Sequence, residues 1–245
     1  PVEPSPLDEQ DAFFMFTGPI LPSNTIAVPT PASLAGSSRF DLTSRRVFTV
    51  DNPETVIRDD ALHIVALDYT TVELGIHCVD LSDSVTVGDA LFTTAWKLRR
   101  NTDSQKIWSR EIVRAHSLDV SQIRPVFSII VDVERATGRV LSIKYGKTTV
   151  KTRSNMTYAD FDEMRRGDGL GELQTRVGVA DCTLAEIVAD VREVGVVADI
   201  WRRACSTTGM SVVRAFGEFI GRLVGEELFR TYGAHALVRS RRRGD

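Results

Sequence analysis

The hydrophobic pattern of this chain changes period once, near Thr157, and that change constrains its fold more than any single motif does. From Arg39 to about Lys151 the apolar residues alternate or come in short runs. Val47-Phe48-Thr49-Val50, Leu62 to Leu67 and Val72 to Val79 each read as a strand. Val126 to Val133 and Arg139 to Tyr145 flank a turn that ends in Gly138, which predicts a hairpin. Trp96 to Arg100 reads as the end of a helix entered after Gly88.

Beyond Thr157 the apolar spacing becomes helical. Thr157 with Asp160, and Thr183 with Glu186, each carry the capping-box signature of a helix start. Leu184, Ile187, Val188, Val191 and Val194 then share one helix face, and a last helix from about Met210 to Tyr232 carries Phe216, Ile220 and Leu223 on one side. Strands followed by helices predict an α+β domain, a mixed or antiparallel sheet followed by packed helices. Residues 1–38 hold Pro4, Pro6, Pro19, Pro22, Pro29 and Pro31 and read as an extended arm, leaving 39–245 as the folded domain.

With 245 residues, 42% of them hydrophobic and 26% charged, the chain can bury a sizeable core. No apolar run approaches the roughly 20 residues a membrane span needs. A net charge of -3 excludes a broadly basic polyanion-binding surface, though not a locally basic channel. Cys78, Cys182 and Cys205 show no CxxC pair and no zinc spacing, so reduced thiols in an intracellular protein are expected. The sequon Asn155-Met156-Thr157 reads as a chance match. The start at Pro1 suits a processed chain, one imported into the mitochondrial matrix included.

The chemistry concentrates between two of the predicted strands. Asp51 closes the first, a short loop follows, and the adjacent pair Asp59-Asp60 opens the next. Neighbouring strand residues point to opposite faces, so Asp59 and Asp60 share a site only if the chain bends at the strand entrance. Clustered carboxylates repel one another and lose hydration, which makes a hard cation such as magnesium their natural partner. The matching reaction is metal-assisted phosphodiester hydrolysis.

This stretch resembles the ribonuclease II (RNB) exoribonuclease family, in which a strand-ending Asp is followed after five residues by Asp-x-Asp-Asp-Ala. Asp51 matches the first acid, Asp59 and Asp60 the last two, and Ala61 the alanine. Arg39-x-Asp41-Leu42-Thr43 resembles the lead-in to that motif. Gly75-Ile76-His77-Cys78-Val79-Asp80-Leu81-Ser82 resembles the family's Gly-Val-His-Ile-Ala-Asp-Val-Ser. Ser117-Leu118, Arg124, Val126-Phe127-Ser128, Gly138, Met156-Thr157-Tyr158, Glu218 and Ala236-Leu237-Val238-Arg239 follow in the family's order. The resemblance implies that Asp51 and Asp60 ligate magnesium and that Asp59 lies nearest the attacking water.

The departures point the other way. The family's second acid falls on Ile57, its late-helix Asn falls near Val224-Gly225, and the His after its Leu-Leu-Arg stretch is Arg241. Residues 1–245 carry no counterpart of the family's Ser-Pro-Ile-Arg-Arg-Tyr segment or of its flanking oligonucleotide-binding barrels. The sequence therefore predicts an RNB-like protein with impaired catalysis, an RNA-binding or structural subunit of a larger ribonucleoprotein, with other protein subunits as partners. A mitochondrial ribosomal or RNA-processing assembly would suit it. The alternative is an active magnesium-dependent exoribonuclease releasing nucleoside monophosphates from the 3′ end, and a module that binds only proteins is a third. Arg239, Arg241, Arg242 and Arg243 are the expected RNA contacts, with Lys144, Lys147, Lys151 and Arg153 as a softer second group. His77 reads as a satisfied core histidine. His63, His116 and His235 lack metal spacing, and Gly167, Gly169 and Gly171 read as a turn between helices.

Overall fold

Alternating apolar residues form strands, and the pairing of those strands closes on itself. The structure, a computed structural model, describes residues 39–85, 88–90, 92–93, 110–167, 170–204 and 212–232. The proline-rich arm and the helix end expected at Trp96 to Arg100 lie outside the described residues. The strands are β1 (Phe40–Asp41), β2 (Val47–Asp51), β3 (Asp60–Ala66), β4 (Thr71–Val79), β5 (Ile123–Glu134), β6 (Val140–Thr157) and β7 (Gly178–Val179). The helices are α1 (Arg110–His116), α2 (Tyr158–Arg166), α3 (Leu170–Arg176), α4 (Leu184–Ala204) and α5 (Val212–Tyr232). This is the expected α+β architecture with a mixed sheet.

The long strand β6 makes the closure. Its first part pairs antiparallel with β5, from Val133↔Val140 to Ile123↔Lys151. Its last part runs parallel to β2, from Val47↔Thr152 to Asp51↔Thr157. Antiparallel pairs β2–β3, β3–β4 and β4–β5 complete the circuit. A closed circuit leaves these strands few free edges.

Side-chain alternation then gives the barrel two faces. Val47, Ala61, Val126 and Val150 point inward and pack with Leu118 in an apolar cluster. Leu62, Ile64, Leu74 and Val131 point outward and are also buried. α4 packs on β3 and buries Ile187, Val188, Val191 and Val194, the face expected from their spacing. At the β5–β6 turn the Trp201 indole donates to the Gly138 carbonyl at 2.7 Å and its ring stacks on Phe216 at 5.4 Å. Gly138 has φ +70°, and a Cβ there would lie 2.9 Å from the Trp201 ring, so only glycine fits this turn.

Both predicted caps are present. Thr157 accepts from Asp160 N–H while the Asp160 carboxylate accepts from the Thr157 backbone, and Thr183 with Glu186 does the same for α4. Arg46 clamps α4 to the barrel through two hydrogen bonds to Asp190, at 2.7 and 2.8 Å. Asn155 of the sequon donates to Thr49 Oγ1 and the Leu118 carbonyl, so its amide is a structural tie within the fold.

By compactness the chain divides into Ala27–Ser84 with Val113–Phe216, which contains the barrel, and a second unit that includes Val85–Ile112 and Gly217–Asp245. Among the described residues, no helix is long and apolar enough to cross a membrane.

Candidate functional site

The acidic residues lie at one end of the barrel, where β2 ends and β3 begins. Asp51 follows Val47 and Thr49 on the inward-facing positions of β2. Asp60 opens the outward-facing row of β3, directly across from Cys78 on β4. Asp59 immediately precedes β3, its carbonyl held by Val79 N–H at 2.9 Å. By strand alternation Asp51 and Asp60 belong to opposite faces of the sheet.

Electrostatics tie the three carboxyls together. Burial, with the negative charges of Asp59 and then Asp51, pushes the Asp60 carboxyl up to about 6. Asp60 is nonetheless reached by solvent. Burial also raises Asp59 and Asp51. Cys78 is pushed up to about 11 by burial and by the same two neighbours, Asp60 and Asp59. Tyr158, first residue of α2, is raised by burial and by Asp60 and Asp51, with Arg214 opposing.

Arg58 is the cation that faces Asp51. Its Nε lies 3.8 Å from Asp51 Oδ2, and its Nη1 donates to Asp119 Oδ1 at 2.9 Å. Neither Arg58 Nε nor Asp51 Oδ2 makes a hydrogen bond, although both are buried, so the pair interacts through charge alone. The Ser117-Leu118 motif fixes the arginine: Ser117 Oγ accepts from Arg58 N–H, and Leu118 N–H donates to the Arg58 carbonyl. Two other matching stretches are joined by Arg39, whose buried guanidinium donates to Asp80 at 2.7 Å and also bonds Asp83.

The donor set does not fit a magnesium ion as it stands. Ile57 offers no oxygen, Asp51 already faces a guanidinium, and among the described residues no three His, Cys, Asp or Glu side chains gather closely enough to hold an ion. Arg58, Asp119, Cys78 and Tyr158 were missing from the sequence-derived site. Arg58 occupies the variable position of the acidic motif, and Tyr158 was legible only as part of a helix start.

Other expected site residues fall elsewhere. Arg239, Arg241, Arg242 and Arg243 lie outside the described residues. Lys144 is exposed but pairs with Asp132 at 3.2 Å on the inward-facing set of β6, away from the Asp60 row. Lys151 and Arg153 both pair with Asp181. His77 is fully buried and bonded to His63 and Ser128, a core histidine as expected.

The sequence profile of the RNB domain matches residues 39–209. Ribonuclease R 2 of Lactococcus lactis is 27% identical over 134 residues, which covers 51% of this chain and 20% of that relative. Among solved structures, Mycoplasma genitalium RNase R in complex with ribose-methylated single-stranded RNA superposes with a TM-score of 0.58 at 15% identity, covering 73% of this chain and 27% of that one. Yeast Ssd1, described as a pseudonuclease, superposes with a TM-score of 0.62 at 16% identity, covering 89% of this chain and 28% of that one. At these identities the superpositions speak for the fold. The chain thus spans less than a third of each of these proteins.

Proposed function

The chain belongs to the RNB domain family, and from that membership we propose that it is a catalytically impaired RNB-fold protein that binds RNA as a subunit of a ribonucleoprotein assembly. The observation that carries the reading is the pairing of Arg58 with Asp51 beside Ile57. A nuclease built on this motif must bring an anionic phosphate against Asp51, Asp59 and Asp60. Divalent cations normally offset that repulsion and activate the water. Here one family carboxylate is replaced by an alkyl side chain, and a guanidinium held by Asp119 neutralises Asp51 from within the protein. Losing electrostatic stabilisation of a transition state typically costs a few kcal/mol, or orders of magnitude in rate.

The RNA-binding half of the proposal is supported by the RNA complex of Mycoplasma genitalium RNase R, and the impairment by the likeness to a pseudonuclease. The free thiols of Cys78 and Cys182 suit a reducing intracellular compartment.

The test is incubation of the chain with 3′-labelled single-stranded RNA and magnesium beside an Asp60→Asn control. No release of nucleoside monophosphates is expected from either protein. Release by the unsubstituted chain alone would establish the alternative, an active magnesium-dependent exoribonuclease. Absence of RNA binding in a fluorescence-anisotropy titration would remove the other half of the reading.

A further inference from the structure

The outward face of the barrel is covered at one end and open at the other. Ile64, Leu74 and Val131, in register across β3, β4 and β5, are buried. Four residues nearer the acidic end, the row Asp60–Cys78–Phe127–Lys147 crosses β3 to β6 in register, and its members are exposed. Between the two lies the row Leu62–Ile76–Ile129–Tyr145, in which Ile76 and Ile129 are half-buried. Phe127 is 41% and Tyr145 53% exposed. Their rings sit diagonally on the same face, centroids 6.5 Å apart and tilted by 31°, so neither covers the other.

We propose that Phe127 and Tyr145 form a stacking platform for the bases of single-stranded RNA on the open end of this barrel face. The inference rests on the RNA-binding reading above and gives it a location. Aromatic rings standing on an exposed sheet surface are a recurrent way to hold unpaired bases, because every base has a π-face and stacking needs no duplex. Ile76 and Ile129 make the neighbouring row of this face apolar. Charge also favours bases over a purely anionic ligand. The ammonium of Lys147 borders the platform, but it is shared with Asp83 at 3.6 Å and Asp80 at 4.0 Å and bonds Ser82. Asp60 closes the other end of the row. A phosphate backbone therefore finds little net positive charge here and must run along the rim, while the bases turn inward onto the rings.

The experiment is an anisotropy titration of a labelled short oligouridylate against the full chain, Phe127→Ala, Tyr145→Ala and Phe127→Trp. Stacking predicts roughly tenfold weaker binding for each alanine variant and wild-type or tighter binding for the tryptophan variant. The salt dependence of the alanine variants should match that of the unsubstituted chain, because no phosphate contact is removed. Both side chains are exposed, so thermal melts should show intact folding. If the chain binds the oligonucleotide and the alanine variants bind it equally well, the platform is refuted while the RNA-binding reading stands. If the unsubstituted chain does not bind, both fall. If the substitutions change only self-association or capture of a protein partner, the patch is a protein interface and the inference is overturned.

Discussion

Inside the barrel, His63 Nδ1 lies 2.7 Å from His77 Nε2, with the two rings stacked at 4.9 Å. His77 Nδ1 meets Ser128 Oγ at 2.6 Å, Ser128 meets Thr148 Oγ1 at 2.5 Å, and His63 Nε2 reaches Glu73 Oε1 at 3.2 Å. One assignment of protons satisfies every group: Thr148 donates to Ser128, Ser128 to His77, His77 to His63, and His63 to Glu73. Both rings are then neutral, and Arg45 balances the Glu73 carboxylate at 2.8 Å.

Burial, with the adjacent His63, holds His77 well below the ordinary histidine range, so the folded protein keeps it neutral where an unfolded chain takes up a proton. Stability from this group is fully present above about pH 6.5 and is lost as the pH falls below it, at up to about 1.4 kcal/mol per pH unit. Denaturant unfolding between about pH 7 and 5, read beside the imidazole NMR signals of His77, checks this. A His77 ring that titrates in that range would contradict it.

Asp60 has the opposite sign. Its folded carboxyl holds a proton up to about pH 6, whereas the unfolded chain loses it near 3.8. The folded state therefore bears the cost of the ionised group above pH 6 and escapes it below 3.8. Asp60→Asn should stabilise the protein at pH 7 by about 1 kcal/mol, the value that solvent screening leaves. The gain should fade as the pH is lowered towards 4. A destabilised Asn variant at pH 7 would show that the carboxylate is compensated by a cation instead.

What the sequence disclosed follows the range of each interaction. Capping boxes at Thr157 and Thr183 are local, and the helical stripe through Ile187, Val191 and Val194 repeats within one element, so both were legible. The sheet was legible as strands but not as a closed barrel. The strand pattern faded near Lys151, where the buried positions of β6 become the polar Thr152 and Ser154, yet the strand continues to Thr157 and there pairs in parallel with β2. A parallel contact between residues about a hundred positions apart leaves no periodic trace. The acidic motif was legible as three aspartates. The faces they occupy depend on that closure, and Arg58 entered the site through contacts with Ser117 and Asp119 that lie far off in sequence.

The close approach of β4 to the histidine pair makes Gly75 sensitive. A Cβ at that position would lie 2.2 Å from His63 Cε1 and 3.1 Å from His77 Nε2. Both rings are fully buried and held by hydrogen bonds, so neither can yield. Gly75→Ala should cost about 3 kcal/mol through overpacking. Gly146→Ala on β6 is the control, since a Cβ there meets nothing within 4 Å and should cost under about 1 kcal/mol. Equal urea midpoints for the two variants would refute the packing argument.

Arg58 and Ile57 together supply the last prediction, which concerns what a cation does at Asp51. In the unsubstituted chain the Arg58 guanidinium stands 3.8 Å from Asp51 Oδ2 and repels a second positive charge. Magnesium should therefore leave the melting temperature unchanged. In an Ile57→Asp, Arg58→Leu double variant the internal cation is gone and a fourth carboxylate joins Asp51, Asp59 and Asp60. That cluster is destabilised by mutual repulsion, so the double variant should melt below the unsubstituted chain without metal. Added magnesium should restore it, with about 2.7 kcal/mol gained at a hundredfold excess over the dissociation constant. For a chain of this size that amounts to a rise of roughly 5–10 °C. The comparison separates two causes of a silent site. A magnesium-induced shift in the double variant alone means that Ile57 and Arg58 are what exclude the ion. A shift in the unsubstituted chain would mean that Arg58 moves aside for metal, and the impaired reading would lose its physical basis.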